Sequence, residues 1–353
     1  MKKTAYLIAY RRLEQSREEF DNYIDEMIEL ASSVNIKVTE IFEQTGKSCN
    51  PKTYLNKGKI QEVEEYYKAD EPDFLIAAEE LSPLQYKNLI EIFPCEVVDR
   101  AELIFFIFME NAGTNLGKYK VELAQLQYEI TRMTGHGAAM SKIGGGIGAR
   151  GLGEQKKELD KRYILRRISN LKEKISKDTV GKEQRRRNRM NSNIPMVTLV
   201  GYTNVGKTSL MNAMLKSEKG HVEDKYFATL EPKCKKLFLE HGRFVLLNDS
   251  VGFISNLPDK LFEAFMSTIE EIAYSDLLIV VLSPYKEEAE RQLEIIRKTL
   301  EKLECSDKPT IIINNKCDLV DNEEYPYVSA KEHTNLDLLK EEILEKLDPA
   351  TQY

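Results

Sequence analysis

Along residues 1–113 the apolar positions follow two periods in turn. TAYLIAY at 4–10 reads as a buried strand, Phe20, Tyr23, Ile24, Met27 and Ile28 fall at helical spacing within 17–33, and NIKVTEIF at 35–42 reads as a second strand. The rhythm continues with a helix from Lys59 (Ile60, Val63, Tyr66, Tyr67), a strand DFLIAAE, and a helix opened by Ser82 as N-cap and Pro83 as its first residue. A strand CEVVD then precedes AELIFFIFMENAG. Four strands separated by helices predict a parallel α/β domain over 1–116. No nucleotide fingerprint lies within it.

From Gly117 the period changes. Leu123, Leu126, Ile130 and Met133 form one seam and Ile164, Ile168, Leu171 and Ile175 another, which predicts two long packed helices over 117–190. Between them SKIGGGIGARGLGE crowds glycines around Arg150, too flexible a composition to continue either helix. The expectation is an antiparallel helical hairpin with a glycine-rich tip at 142–153. Such a tip serves either as a plain loop or as bare backbone that approaches RNA.

The third unit, 194–353, is specific. PMVTLVGYTNVGKTSLMNAML reads as buried strand, phosphate loop and helix, and Gly201, Gly206, Lys207 and Thr208 fit the P-loop spacing in that context. Glycines let backbone N–H groups of Tyr202, Thr203, Asn204, Val205 and Ser209 curl toward phosphate at a helix N-terminus. Lys207 meets the β and γ oxygens and the Thr208 hydroxyl ligates Mg²⁺. After FVLLND, Asp249 and Gly252 match D-x-x-G, with Asp249 as the second metal residue and the Gly252 N–H reaching the γ-phosphate. PTIIINNKCD then brings Asn315, Lys316 and Asp318, whose carboxylate accepts from guanine N1–H and the 2-amino group, a donor pair adenine lacks. Ser329, Ala330 and Lys331 follow a predicted strand YPYVS, with the Ala330 N–H aimed at guanine O6. Within KYFATLEP, Thr229, preceded by Phe227 and Ala228, is the switch residue that completes the metal set and senses the γ-phosphate. Four motifs in order predict a Ras-like α/β GTPase domain whose substrate is GTP.

In many small GTPases a glutamine follows the D-x-x-G glycine and orients water; here Phe253 stands there, so slow intrinsic turnover is expected. Asn204 resembles the phosphate-loop asparagine of potassium-dependent GTPases, which implies K⁺ beside the transferred phosphate. Lys207, Thr229, Gly252 and Asn204 are the catalytic candidates.

Composition refines this picture. The 353 residues carry a net charge of −7, yet residues 161–190 hold 12 Lys/Arg against 3 Asp/Glu, among them Arg185, Arg186 and Arg187. That segment is either a solvated helix face and linker or a phosphate-seeking surface. Five scattered cysteines without a C-x-x-C pair suggest neither disulfides nor zinc. The longest apolar runs are far short of the ~20 residues of a membrane helix, and MKKTAYLIAY lacks a signal-peptide pattern, so a cytoplasmic protein with no membrane span is expected.

Taken along its length, the chain resembles the HflX-type ribosome-associated GTPases. The resemblance rests on TYLNKGKIQEV, ELSPLQYKNL, VVDRAELI, GKYKVELAQLQY, GGGIGARGLGE, GYTNVGKTSL, FATLEP, DSVGF and NKCD. It implies a monomer that binds the 50S subunit and 23S rRNA, is stimulated there, and splits stalled or stressed 70S ribosomes, its tip reaching toward the peptidyl-transferase centre. Gly148, Arg150, Gly151, Gly153 and Glu154 match the family tip, which usually reads G-x-G-x-R-G-P-G-E-T; Leu152 and Gln155 depart from it, as does Ser250 from the usual threonine. Under this resemblance Gly148, Arg150, Gly151, Gly153 and Arg185 to Arg187 contact RNA. The chain ends soon after the guanine loop, so the C-terminal domain of longer members is expected to be lacking. Rival expectations are a GTPase that assists ribosome assembly or RNA modification, and a signalling switch with a non-ribosomal partner.

Overall fold

The computed structural model describes residues 3–140, 152–190, 194–215, 233–253, 270–320 and 327–347. The chain divides into two compact units, one of Met1–Glu110 with Lys118–Ile175 and the other of Asn111–Gly117 with Ser176–Tyr353.

In the first unit, β1 (Lys3–Arg12), β2 (Ile36–Gly46), β3 (Phe74–Ala77) and β4 (Glu96–Asp99) form a wholly parallel sheet in the order β2-β1-β3-β4. Between them run α1 (Arg17–Ser33), α2 (Lys57–Asp70) and α3 (Pro83–Ile92), and α4 (Arg100–Asn111) follows the last strand. Parallel strands need covered faces and so read as continuous apolar runs; Ala5 to Ala9 of β1 have no exposed surface at all. Ser16 and Ser82 each accept from the third helical N–H while Glu19 and Gln85 return the bond, so α1 and α3 start at full capping boxes. The α2 helix begins two residues ahead of the predicted Lys59.

Helices α5 (Asn115–Met140) and α6 (Leu152–Met190) run antiparallel where their residues 118–140 and 152–175 belong to this unit. Arg167 grips Glu122 through bonds of 2.6 and 2.9 Å, and two turns further along α6 Lys174 lies 4.9 Å above the Tyr119 ring, so contacts rise in number on one helix as they fall on the other. The α6 seam of Ile164, Ile168 and Leu171 is buried, with Ile175 half-buried. The α5 seam is displaced from expectation. Val121, Ala124 and Tyr128 are buried, whereas Leu123, Leu126, Ile130 and Met133 are only partly so. The cause is a second buried face: α5 also packs on the C-terminal edge of the sheet. There Asp99, with no exposed surface, accepts from the Tyr128 hydroxyl (2.5 Å), Arg132 and the Leu81 N–H (3.0 Å), while Arg132 also pairs with Glu102 at 2.6 Å.

One expectation for the hairpin needs correction: Gly153 belongs to the first turn of α6 rather than to a loop, while the basic segment 161–190 is helical to Met190, as the period predicts, and not a helix followed by a linker. Residues 141–151, including Gly148, Arg150 and Gly151, lie outside the described residues.

The second unit holds β5 (Met196–Gly201), α7 (Lys207–Met214), β6 (Lys233–Phe238), β7 (Phe244–Asp249), β8 (Leu277–Leu282), α8 (Lys286–Lys302), β9 (Thr310–Asn314) and α9 (Leu336–Leu347). Its sheet runs β6-β7-β5-β8-β9, with only β6 antiparallel. Val197, Leu199, Leu247, Ile279, Val281 and Ile313 are buried beside Leu210, Met211 and Ile343 from the covering helices. Of the segment YPYVS only residues 327–329 are described, and there a single Asn314–Tyr327 bridge extends the sheet where a strand was expected. No helix among the described residues is long and apolar enough to cross a membrane.

Candidate functional site

Three chain crossings at the C-terminal ends of β5, β7 and β9 build one site in the second unit, where an open α/β sheet ordinarily offers its crevice. At the end of β5, a side chain on Gly201 would collide with the Val281 carbonyl of β8, so only glycine lets the loop leave the sheet there. The loop turns through left-handed conformations at Asn204 (φ 62°) and Gly206 (φ 88°), and Gly206 caps α7. Asn204 is exposed, Tyr202 half-buried, and Thr203 and Val205 buried; Ser209 lies in the first turn of α7.

Lys207 opens α7 and is 7% exposed, its Nζ donating to the carbonyls of Gly201 (3.0 Å) and Tyr202 (2.6 Å). Burial lowers its ammonium to about 8, against the opposing pull of Asp249. The Thr208 hydroxyl donates to Asp249 Oδ2 at 2.7 Å, and Asp249 has no exposed surface. A buried carboxylate with a hydroxyl beside it, at a loop of backbone N–H groups, is a hard oxygen donor set that fits Mg²⁺.

The segment after β7 is laced to the phosphate loop by backbone. Thr203 N–H donates to the Phe253 carbonyl at 2.7 Å, and Phe253 N–H to the Gly201 carbonyl at 3.0 Å. Gly252 passes so close that a Cβ there would stand 2.9 Å from Thr203 Cα and 3.0 Å from Lys207 Nζ. Ser250, in place of the family threonine, donates to the Leu199 carbonyl at 2.6 Å. The Phe253 ring is buried, so it presents neither a donor nor an acceptor to this site.

At the end of β9, Asn315 is 1% exposed and joins the two ends of the site: Nδ2 donates to the Val205 carbonyl at 2.8 Å and Oδ1 accepts from the Ala330 N–H at 3.2 Å. A Cβ on Gly206 would collide with that same Nδ2. Lys316 takes a left-handed conformation (φ 64°), and Asp318 follows. The Ser329 hydroxyl donates to Asp318 Oδ1 at 2.6 Å and holds that carboxyl below its usual range, with Lys331 3.9 Å from the other oxygen.

The structure thus gathers Gly201 to Ser209, Asp249, Gly252, Asn315 to Asp318 and Ser329 to Lys331. Phe227, Ala228 and Thr229 lie outside the described residues; for Arg185, Arg186 and Arg187 only the helical backbone is described. Sequence reading did not anticipate the Phe253 backbone pair, Ser329 as the group that fixes Asp318, or Asn315 as the tie between loops. Backbone pairing leaves no residue-type signal, and a serine in a turn is too common to carry one.

Comparison with known proteins agrees with this geometry. Residues 21–109 match the model described as GTP-binding GTPase N-terminal, 111–189 that of the GTP-binding GTPase middle region, and 196–316 that of the 50S ribosome-binding GTPase. The chain is 39% identical over 342 residues to GTPase HflX of Caldanaerobacter subterraneus, covering 96% of this chain and 80% of that one. It is 33% identical to GTPase HflX of Escherichia coli, covering 85% and 70%. Among solved structures it is similar to a GDP complex of SsGBP, with a TM-score of 0.55 and 28% identity over 99% of both chains. A second GDP complex, of a GTP-binding protein from Sulfolobus solfataricus, gives 0.52 and 27% over 98% of each. A phosphate loop with a buried aspartate and an N-K-x-D loop at the C-terminal ends of one sheet, in a chain whose three regions match the three GTPase models and that is 39% identical to a GTPase HflX, show that this chain is a GTP-hydrolysing enzyme and belongs to the HflX family of GTPases.

Proposed function

We propose that this GTPase acts in the cytoplasm as a monomer that binds the 50S subunit through 23S rRNA and splits or rescues stalled 70S ribosomes, hydrolysing GTP to GDP and phosphate. The observation that carries the reading is a nucleotide site in a segment matched by a 50S ribosome-binding GTPase model, on the same chain as a helix with 12 Lys/Arg against 3 Asp/Glu in its residues 161–190.

In this reading Lys207 and the backbone N–H groups from Tyr202 to Ser209 hold the phosphates, and Asp318 and the Ala330 N–H read guanine. Mg²⁺, held by Thr208, Asp249 and Thr229, neutralises charge on the phosphate oxygens when bound. Gly252 and Thr229 report the γ-phosphate to the segments that follow them. The hairpin, with Gly148, Arg150, Gly151, Gly153 and Arg185 to Arg187, meets RNA. Phe253 supplies no group to orient water, so the ribosome raises the rate by ordering the switch segments or lending a group of its own.

The test is the GTPase rate with and without purified 50S subunits, for the wild type and for a chain lacking Gly144–Gly153. We expect stimulation of at least about tenfold, lost on the deletion, and loss of 70S on sucrose gradients with GTP. Failure of 50S to stimulate the wild type, with a precursor particle or tRNA doing so instead, would move the protein to the assembly or modification class.

A further inference from the structure

Strands β6 and β7 form the antiparallel edge pair of the second sheet, with Phe238 opposite Phe244 and Lys236 opposite Leu246. Cross-strand partners, and residues two apart on one strand, share a face. Lys236, Phe238 and Phe244 therefore stand on one side, and their contacts agree: the two rings lie 6.2 Å apart, with the Lys236 ammonium 3.3 Å from the Phe244 centroid and 5.1 Å from that of Phe238. Between them on the strand, Leu237 faces the core and is buried, while Phe238 is 67% exposed. Lys235 and Arg243 are also exposed, and residues 233–244 carry four Lys/Arg against one Glu in a chain of net charge −7.

Lysines on an edge strand deter unwanted strand pairing, but that purpose does not call for an exposed ring. A protein partner of any stability seats a charge-depleted core on its interface, and this patch is small and rich in cations. An open aromatic face beside a cation, here Phe238 beside Lys236, instead matches an unpaired nucleotide, whose base stacks on the ring while its phosphate meets the charge. We infer that the β6–β7 edge of the GTPase unit is an RNA contact separate from the helical hairpin, taking an unpaired base on Phe238 and its phosphate at Lys236. The inference rests on the RNA-partner reading above and adds to it a second point of attachment.

The chain has no tryptophan, so Phe238→Trp installs a single fluorescent reporter at the patch. The full chain with this substitution is titrated with a single-stranded RNA oligonucleotide of mixed sequence and, separately, with 50S subunits; unaltered circular dichroism and ribosome-free GTPase rate confirm that it is folded. Quenching by either, relieved by salt, together with a Phe238→Ala variant that binds that RNA partner about tenfold more weakly, is the expected result. Absence of quenching with both, or a blue-shifted and brighter emission with 50S that marks a protein contact, overturns the inference. Quenching by the oligonucleotide in a chain that does not sediment with 50S would support the RNA patch while rejecting the ribosome reading.

Discussion

Asp318 is a carboxylate held ready: Ser329 donates to one oxygen, Lys331 stands near the other, and the first of these keeps it ionised below the ordinary aspartate range. A group whose folded pKa is depressed stays charged at every pH above it, so the preference for GTP over ATP should be flat from about pH 8 down to about pH 5. Competition titrations at the two ends would reveal any drift. Asp318→Asn replaces an acceptor with a donor against guanine's own donors and should weaken GTP binding by about two orders of magnitude, the ~1–3 kcal/mol of an unpaired buried polar group. Asn315 acts on position instead. Asn315→Ala leaves the Val205 carbonyl and the Ala330 N–H without their bonds, and a loss of about tenfold or more in GTP affinity is expected by calorimetry, with GTP selectivity retained because Asp318 is untouched. If the exposed Asn204 assists a monovalent cation, turnover will be faster in K⁺ than in Na⁺ and Asn204→Ala will remove the difference.

At the scale of elements, Asp99 and Arg132 fasten α5 to the end of β4 with both charges buried. Removing one partner strands the other, so Arg132→Ala should destabilise the first unit by about 3–5 kcal/mol, read from urea unfolding. Replacing Asp99 and Arg132 together with apolar residues of similar volume should recover most of that loss. This fastening also explains what was hard to read. In the first unit β1 and β3 were legible because the inner strands are covered on both faces and so are continuously apolar, the edge strand β2 was legible from its β-branched and aromatic residues despite its exposed charges, and α1 and α3 because Ser16 and Ser82 announce their starts. The α5 seam was misread by two positions, Leu123, Leu126 and Ile130 standing in for Val121, Ala124 and Tyr128, because the helix buries two faces, one of which is built around a tyrosine and an arginine that hydrophobic periodicity does not count. Gly153 and Gly181 lie within α6 although glycine is a poor helix former; local propensity yields there to a 39-residue helix. In the site, glycine spacing foretold where backbone must pass closely at Gly201 and Gly206, but the lacing of Phe253 to Gly201 and Thr203 runs through main-chain atoms that no residue type advertises.

For the molecule as a whole, α6 is the feature with the widest consequence. Thirty of its residues carry a net charge of +9, leaving −16 on the remainder of a −7 chain. At ~1.5 Å per residue that charge is drawn out over about 45 Å, comparable to several Debye lengths at physiological salt. A polyanion of any kind is therefore attracted to this helix before contact. Raising ionic strength should accordingly slow association far more than it hastens dissociation, a division that stopped-flow mixing can resolve. Random collision would leave most encounters unproductive; charge gathered along one helix draws an anionic target to that helix while the two are still apart.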